Sequence, residues 1–275
     1  MTDAAPIRFT NVSKTFTKHD GTPFFACREL SFQVRTREIV AIVGETGCGK
    51  STSFNLLLGL QKPDAGDVRV LGVDPFSSGE PLRGQVGIIF QNDRLLPWRT
   101  AVENIALGLE VLGVAEAERE ATARRWLERV GLRGFDGAYP HELSGGMRQR
   151  VSIARAFAIG PRILYADEAF TALDELTAAR IRRDLLELIR ETAITTLFIT
   201  HSVPEAVDIA QRILVFGRPG RVVGEVHRDR ERAAGRSTEA IEALVREALE
   251  RARQALAAEG TAADASRAPA PKNPG

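Results

Sequence analysis

Residues 44–52 form a glycine-rich segment that ends in a lysine and two hydroxyl side chains, a combination that can bind phosphate. Its members are, in order, Gly44, Glu45, Thr46, Gly47, Cys48, Gly49, Lys50, Ser51 and Thr52. Glycines let the backbone turn so that its N–H groups point at phosphate oxygens, while Lys50 reaches the terminal phosphates. The Ser51 hydroxyl is suited to complete a Mg²⁺ shell with phosphate oxygens and water. The segment predicts a nucleotide-binding loop, and the alternative is a plain turn between a strand and a helix.

Two carboxylates, Asp167 and Glu168, directly follow an apolar run at residues 163–166. Ligands of open α/β sheets bind beyond the carboxyl ends of the strands, so we expect both acids to face the phosphates. Asp167 suits the Mg²⁺ shell, and Glu168 suits polarising the attacking water. Because strand ends also carry acids simply for solvation, the nearby phosphate loop is what favours a catalytic role.

Gln91 and His201 also follow apolar runs, at residues 86–90 and 195–200. We expect both side chains at the same edge of the sheet, with His201 near the terminal phosphate. The alternative for a single histidine is a structural role.

The elements that position these residues are predicted from hydrophobic patterning. Alternating side chains in the first forty residues predict antiparallel strands. Residues 92–160 are predicted to form a helical insertion, with one helix over 117–130. Four apolar runs fit strands buried on both faces of a mostly parallel sheet: 39–43, 86–90, 163–166 and 195–200. The predicted fold class is therefore α/β: a P-loop core with a mostly parallel sheet, an antiparallel β subdomain and an α-helical insertion.

The end of the chain is predicted to have two parts. Apolar residues at helical spacing predict an amphipathic helix over about 238–256, capped by Ser237 or Thr238. After Leu256 the only aliphatic side chains are alanines, so residues 257–275 are predicted to be a disordered tail. Residues 1–256 are predicted to form one domain.

Charge and composition exclude several classes of protein. Lys and Arg number 37 against 36 Asp and Glu, and this net charge of +1 argues against a nucleic-acid partner. No segment has the ~20 apolar residues of a membrane span, and the first ten residues lack an apolar export core. Two cysteines, Cys27 and Cys48, are too few for a disulfide framework. We expect an intracellular protein.

Residues 143–150 read LSGGMRQR, and this segment resembles the signature sequence of the ATPase subunits of ABC transporters. The resemblance covers about residues 7–230, with the motifs in the family's order. It implies that Ser144, Gly145 and Gly146 bind the terminal phosphate of an ATP held by the opposite subunit. From the residues alone, the segment is a loop that opens a helix, which is compatible with that role.

The same resemblance assigns roles to further residues. Phe16 stands where an aromatic ring stacks on adenine, and a buried core Phe is the alternative. Gln91 matches the loop that touches Mg²⁺ and senses the partner, and Asp174 matches the loop that communicates across the dimer. His201 matches the switch histidine that contacts the terminal phosphate. The implied catalytic residues are Lys50, Glu168 and His201, and the implied metal ligands are Ser51, Gln91 and Asp167.

Four positions depart from the family's commonest pattern. Glu45 and Thr46 stand where Pro-Ser is frequent, which leaves the backbone function of the loop intact. Ala169 stands where Pro is usual, which is expected to loosen the turn that holds the catalytic carboxylate. Ser202 stands where Asp is common, which is expected to alter the orientation of the preceding histidine. Hydrolysis is still expected.

A Leu-Leu-Pro-Trp stretch at residues 95–98 resembles importers of the nitrate, sulfonate and taurine group. The resemblance implies the ATPase subunit of a bacterial importer that uses ATP and Mg²⁺ to take up a small anion. Its implied partners are a second identical subunit, an integral-membrane permease and a periplasmic solute-binding protein, with the subunit at the cytoplasmic face of the inner membrane. The alternatives are the ATPase of another importer or of a lipid or export system, or a soluble ABC ATPase. Soluble members of the family usually carry a long coiled coil between the phosphate loop and the signature, or two cassettes in one chain. This sequence shows neither feature.

Leu95, Leu96 and Trp98 place three large apolar side chains on a segment in which Pro97 disfavours a regular helix. Such side chains are costly to leave in water and indicate an interface. The family's permease docks in this region, and the alternative is that the three side chains cover the core of the helical insertion.

Overall fold

The computed structural model describes residues 5–77 and 80–265, which form two β-sheets surrounded by helices. The strands are β1 (Ile7–Thr17), β2 (Pro23–Val34), β3 (Ile39–Gly44), β4 (Ala65–Val70), β5 (Val86–Ile89), β6 (Ile163–Asp167), β7 (Thr195–Thr200), β8 (Arg212–Gly217) and β9 (Arg221–His227). The helices are α1 (Lys50–Leu57), α2 (Ala101–Val111), α3 (Glu116–Arg129), α4 (Gly145–Ala158), α5 (Glu175–Thr192), α6 (Val203–Ile209), α7 (Arg228–Ala233) and α8 (Thr238–Ala265).

The larger sheet contains the four predicted buried strands in the order β5-β6-β7-β3-β8-β9. Neighbouring strands from β5 through β8 are parallel, and β9 is antiparallel to β8. Val40 and Ile42 of β3 pack into the core on one face, whereas Ala41 and Val43 pack into the core on the other. Successive side chains of a strand point to opposite faces, so the uninterrupted apolar run reflects burial on both. The α/β class with a mostly parallel sheet is confirmed.

The smaller sheet has the order β2-β1-β4, and its strands are antiparallel, as predicted for the N-terminal region. The rings of Phe9 and Phe32 stack across β1 and β2 with centroids 4.6 Å apart. Ile7 and Leu30 join the same apolar cluster as Leu56 of α1. The smaller sheet therefore packs beside the segment that contains the phosphate loop.

The predicted helical insertion contains α2, α3 and α4, and residues 91–100 before it have no regular structure. Thr100 and Glu103 form a capping box at the start of α2. Trp126 of α3 contacts Phe157 of α4, with ring centroids 5.4 Å apart. Across the described part of the chain, no helix combines the length and apolar character required to cross a membrane.

Strands β4, β8 and β9 are missing from the sequence prediction. The buried strand β8 contains an apolar run at residues 213–216, but it begins with a charged residue, Arg212. Its guanidinium is satisfied by the Glu38 carboxylate at 2.7 and 2.8 Å and by the Gln33 carbonyl at 2.5 Å. A paired charge can be buried where an unpaired one cannot, and sequence patterns do not show the pairing.

The C-terminal helix begins as predicted, because the Ser237 hydroxyl accepts a hydrogen bond from the Ala240 amide at 3.3 Å. However, α8 ends at Ala265 and thus continues past residue 256, where we placed the start of a disordered tail. That boundary is wrong, since an alanine-rich segment can continue a helix that has already begun. Residues 266–275 lie outside the described residues, and their disorder stays a prediction.

Replacing Arg212 with Met is expected to lower the free energy of unfolding by roughly 3 kcal/mol, because the mostly buried Glu38 carboxylate loses its partner. Burial disfavours the Glu38 carboxylate, but hydrogen bonds from Arg212 and the Arg35 amide outweigh it and lower the pKa of Glu38. Thermal unfolding should show a clear fall in Tm. The control is Arg124→Met, which removes an exposed pair with Asp136 and should cost about 1 kcal/mol or less. Equal shifts for the two variants would contradict the prediction.

Candidate functional site

The phosphate loop connects β3 to α1 with the strand–loop–helix context that the sequence predicts. Gly49 has a φ of 101°, and a Cβ there would lie 2.4 Å from the Ala26 carbonyl oxygen. A Cβ at Gly44 would lie 2.5 Å from the Cys48 sulfur. Both positions therefore require glycine, because the loop is folded tightly on itself and on β2.

Lys50 is the first residue of α1, and its side chain is buried at the inside of this loop. The Nζ atom donates hydrogen bonds to the carbonyl oxygens of Gly44 at 2.6 Å and Glu45 at 2.8 Å. The ammonium group is thus held where the loop curls, and it attracts the Asp167 carboxylate electrostatically. A buried cation inside a ring of backbone groups suits the binding of an anion.

Asp167 and Glu168 lie at the carboxyl end of β6, as predicted. Burial and the neighbouring Glu168 raise the pKa of Asp167, although Lys50 and Arg94 oppose this rise. Glu168 has a φ of 47°, and its amide donates to the Ile199 carbonyl at 2.8 Å. A positive φ at a non-glycine residue is strained, and the hydrogen bond to β7 holds it in place.

His201 and Glu168 come together across β6 and β7. The Nδ1 atom of His201 lies 3.3 Å from Oε1 of Glu168, and the histidine side chain is about half exposed. A carboxylate paired with an imidazole at the edge of a phosphate-binding site can orient and polarise a water molecule. The structure therefore places Lys50, Asp167, Glu168 and His201 at one edge of the sheet.

Hydrogen bonds hold the chain at Ala169 and Ser202, the two departures from the family pattern that lie beside this edge. Gln149 of α4 donates to the Ala169 carbonyl at 2.6 Å, so a hydrogen bond holds the turn where the family usually has proline. The Ser202 hydroxyl accepts from the Glu205 amide at 3.3 Å and caps α6. Burial raises the pKa of Glu205, whose carboxyl accepts a hydrogen bond from the Thr200 hydroxyl.

The signature residues lie in a second place, beside Asp174. The Ser144 hydroxyl caps α4 by accepting from the Met147 amide at 3.3 Å, and Asp174 caps α5 by accepting from the Thr177 amide at 3.0 Å. A Cβ at Gly146 would lie 2.9 Å from the Thr177 methyl carbon, so this contact requires glycine. Hydrogen bonds within the residues that the structure describes do not join Ser144, Gly145 or Gly146 to the phosphate loop.

Phe16 and Gln91 are both accessible to a ligand. Phe16 is partly exposed, and its ring lies 5.8 Å from that of Phe24 on the neighbouring strand. It does not belong to either apolar core, so the alternative of a buried core Phe is not what the structure shows. Gln91 is exposed in the loop after β5.

Two arginines that the sequence analysis did not single out hold the loop after Gln91. Arg148 of α4 lies with its Nε atom 3.0 Å from Oδ2 of Asp93. Arg155, two turns further along α4, donates to the carbonyl oxygens of Asp93 at 2.6 Å and Arg94 at 2.8 Å. Their spacing of seven residues places them on one side of the helix, and this spacing can be read from the sequence. The signature helix is therefore bonded directly to the loop that contains Gln91.

The metal ligands that the resemblance implies are Ser51, Gln91 and Asp167, which offer a hydroxyl, an amide oxygen and a carboxylate. Ser51 lies beside Lys50 in the first turn of α1, and the Asp167 carboxylate is attracted by Lys50. Oxygen atoms are the ligands that Mg²⁺ prefers, so the donor set fits that ion.

Comparisons with known proteins agree with this geometry. The ABC transporter family matches residues 27–171. The taurine import ATP-binding protein TauB of Yersinia pestis bv. Antiqua (strain Antiqua) is 42% identical over 214 residues, which is 78% of this chain and 82% of that protein. TauB of Pseudomonas aeruginosa (strain UCBPP-PA14) is 42% identical over 217 residues, 78% of this chain and 81% of that protein. A dimeric post-hydrolysis structure of the ATP-binding cassette MJ0796 with ADP and Pi has a TM-score of 0.72 and 31% identity, over 81% of this chain and 98% of that one.

Proposed function

Since the chain belongs to the ABC transporter family, as an ATP hydrolase of the nitrate, sulfonate and taurine importer group, we propose that it drives uptake of a small anion. The proposed cargo is taurine, an alkanesulfonate or nitrate, and the identity of 42% to proteins named for taurine import supports this class. The alternatives from the sequence, another importer or an export system, have no such support among these relatives.

The observation that carries the enzymatic proposal is the Glu168–His201 pair beside Lys50. In this proposal, the backbone N–H groups of residues 44–52 bind the phosphates and Lys50 neutralises the terminal ones. Glu168 accepts a proton from the attacking water, and His201 contacts the terminal phosphate and positions Glu168. Phe16 stacks on the adenine ring.

Mg²⁺ is the proposed metal, held by Ser51, Asp167 and Gln91 together with phosphate oxygens. The ion supplies charge neutralisation of the phosphates when bound. Asp167 suits this role because burial and the neighbouring Glu168 raise its pKa, and a bound cation would stabilise the ionised carboxylate.

The signature residues are proposed to act on the partner subunit. Gly145 and Gly146 lie beside Leu173 and Thr177, which are close to Asp174 in the chain. Within the described residues, the three signature residues make no hydrogen bond to the phosphate loop. A two-fold dimer would bring each signature to the other subunit's phosphate loop and form two composite sites. Closure around ATP and reopening after hydrolysis would then move the permease between two states.

The permease is proposed to dock at the loop of residues 91–99 and the groove beside it. This groove of about 330 Å³ lies between β5 and α2, and its apolar walls include Val86 and Leu107. Trp98 is 70% exposed and Leu96 is partly exposed, but Leu95 is buried in the core. The expectation that all three side chains form an interface is therefore wrong for Leu95.

Asn104 makes this loop rigid, which suits a docking surface. Its buried side chain accepts from the Leu96 amide at 2.7 Å and donates to the carbonyl oxygens of Arg99 at 2.9 Å and Thr100 at 3.0 Å. A preorganised loop loses little conformational entropy when a partner binds.

We propose that the subunit lies at the cytoplasmic face of the inner membrane, in complex with the permease and a periplasmic solute-binding protein.

Replacing Leu96 and Trp98 together with Ala should abolish membrane recruitment and transport while ATP binding remains. Trp98 is exposed in the isolated subunit, and an exposed Trp at an interface is a candidate hot spot worth about 2 kcal/mol or more. Co-sedimentation with permease-containing membranes measures recruitment.

Leu60→Ala is the matched control, because Leu60 is 68% exposed and follows α1, outside this loop. Leu95→Ala should instead lower the Tm, since its side chain lies in the core. Loss of Tm with recruitment unchanged in the Leu96 and Trp98 variant would contradict docking and indicate that the two side chains cover the core.

The cargo is tested by purifying the complex with its solute-binding protein and identifying the bound ligand by mass spectrometry. We expect a sulfonate or nitrate. A sugar, a metal ion or an amino acid without a sulfonate group would contradict the proposed cargo class and leave the ATPase assignment unaffected.

A further inference from the structure

Helix α8 meets the phosphate loop at Glu45. The Nε atom of Arg253 pairs with Oε1 of Glu45, a contact between residues 208 positions apart in the chain. Close packing fixes the helix, because a Cβ at Gly217 would lie 3.4 Å from the Ala252 Cβ, and one at Gly224 3.0 Å from that of Ala248. The position of Arg253 is therefore set by the seating of α8 on β8 and β9.

A cavity of about 940 Å³ lies between the loop and this helix. Its walls include Glu45 and Thr46 of the loop, His201, Arg218 of the β8–β9 turn and Arg253 of α8. Arg218 donates to the Thr46 carbonyl. The C-terminal helix thus forms one wall of the space that the switch histidine also faces.

Glu45 introduces a negative charge into a loop that has to bind a polyanion. Its carboxylate, which is partly exposed, would repel the phosphates of an ATP bound in this loop, because like charges repel at short range. Lys50, the lysine of this loop, donates hydrogen bonds to the backbone carbonyl oxygens of Gly44 and Glu45. Arg253 is the guanidinium that contacts the Glu45 carboxylate directly.

We propose that Arg253 neutralises Glu45, so that the C-terminal helix is a functional part of the ATP site. Arg253 shares its charge with Glu250 of the same helix, 3.5 Å away, and the Glu45 contact uses a different nitrogen. The proposal rests on the assignment of residues 44–52 as the phosphate loop. It gives α8 an effect on ATP affinity that an ordinary exposed ion pair does not have.

The test measures MgATP and MgADP affinities of the full-length chain for Arg253→Ala, Glu45→Gln and the double variant. Arg253→Ala should weaken MgATP binding about fivefold at low salt, and MgADP binding less, because the unpaired carboxylate repels the more highly charged ligand more strongly. Glu45→Gln in the Arg253→Ala background should restore the affinity. The loss should shrink in high salt, as an electrostatic effect does.

Arg251→Ala is the control, since Arg251 is 70% exposed and its partner Glu247, at 3.9 Å, belongs to the same helix. Unchanged affinity in Arg253→Ala would overturn the proposal. So would a double variant that keeps the full loss, because the effect would then come from displacement of α8. Lys50→Ala tests the loop assignment separately: if it binds MgATP normally, the phosphate-loop assignment fails, whatever the outcome at Arg253.

Discussion

Replacing Glu168 with Gln is expected to leave ATP bound but unhydrolysed, with turnover lower by about 100-fold or more. Glutamine keeps the size of the side chain and its hydrogen bonding, but it cannot accept the proton of the attacking water. The backbone at this position is held by the Glu168 amide and the Ile199 carbonyl, a hydrogen bond that the variant retains. Phosphate release measures the loss, and size-exclusion chromatography should detect a dimer trapped by ATP.

Glu116→Gln provides the matched control, because it makes the same chemical change at a side chain of α3 that is 76% exposed. Its turnover and oligomeric state should equal those of the natural chain. If Glu168→Gln retained turnover, His201 would become the stronger candidate for activating water, because it is the imidazole 3.3 Å away.

The edge of the sheet that carries Lys50, Asp167, Glu168 and His201 could be predicted from local patterns. Lys50 belongs to the phosphate-loop motif, and the other three residues come at the ends of apolar runs. Parallel strands bring their carboxyl ends to one edge, so local patterns are sufficient to assemble this part of the site. The roles of these residues remain predictions until the variants are measured.

Other features depend on contacts between distant segments, and the sequence could not reveal them. Leu95 and Trp98 lie three positions apart on one irregular loop, yet Leu95 is buried and Trp98 is exposed. An irregular loop has no periodicity from which to tell which side chain points inward. The pair between Glu45 and Arg253 and the burial of Arg212 beside Glu38 likewise join segments far apart in the chain.

The separation of the signature residues from the phosphate loop leads to the second large expected effect. Ser144→Arg should abolish turnover, because a bulky cation at the start of α4 obstructs the phosphate-binding surface offered to the partner. It also removes the cap of α4, at a cost of about 1 kcal/mol in stability. The variant's own phosphate loop stays intact, so its monomer should bind ATP normally. Lys50→Ala should also be inactive, because it damages the phosphate loop of its own subunit and leaves the signature intact.

Mixing Ser144→Arg with Lys50→Ala subunits should restore turnover. In a two-fold dimer of the two variants, one composite site combines both damaged halves, and the other combines the intact loop with the intact signature. With random pairing, the mixture should reach at most about a quarter of the natural rate, because half of the dimers are mixed and each has one complete site. Each variant alone is the control, and phosphate release again gives the measurement. If Ser144→Arg instead abolished ATP binding by its own monomer, the signature would act within its own subunit and the composite site would be wrong.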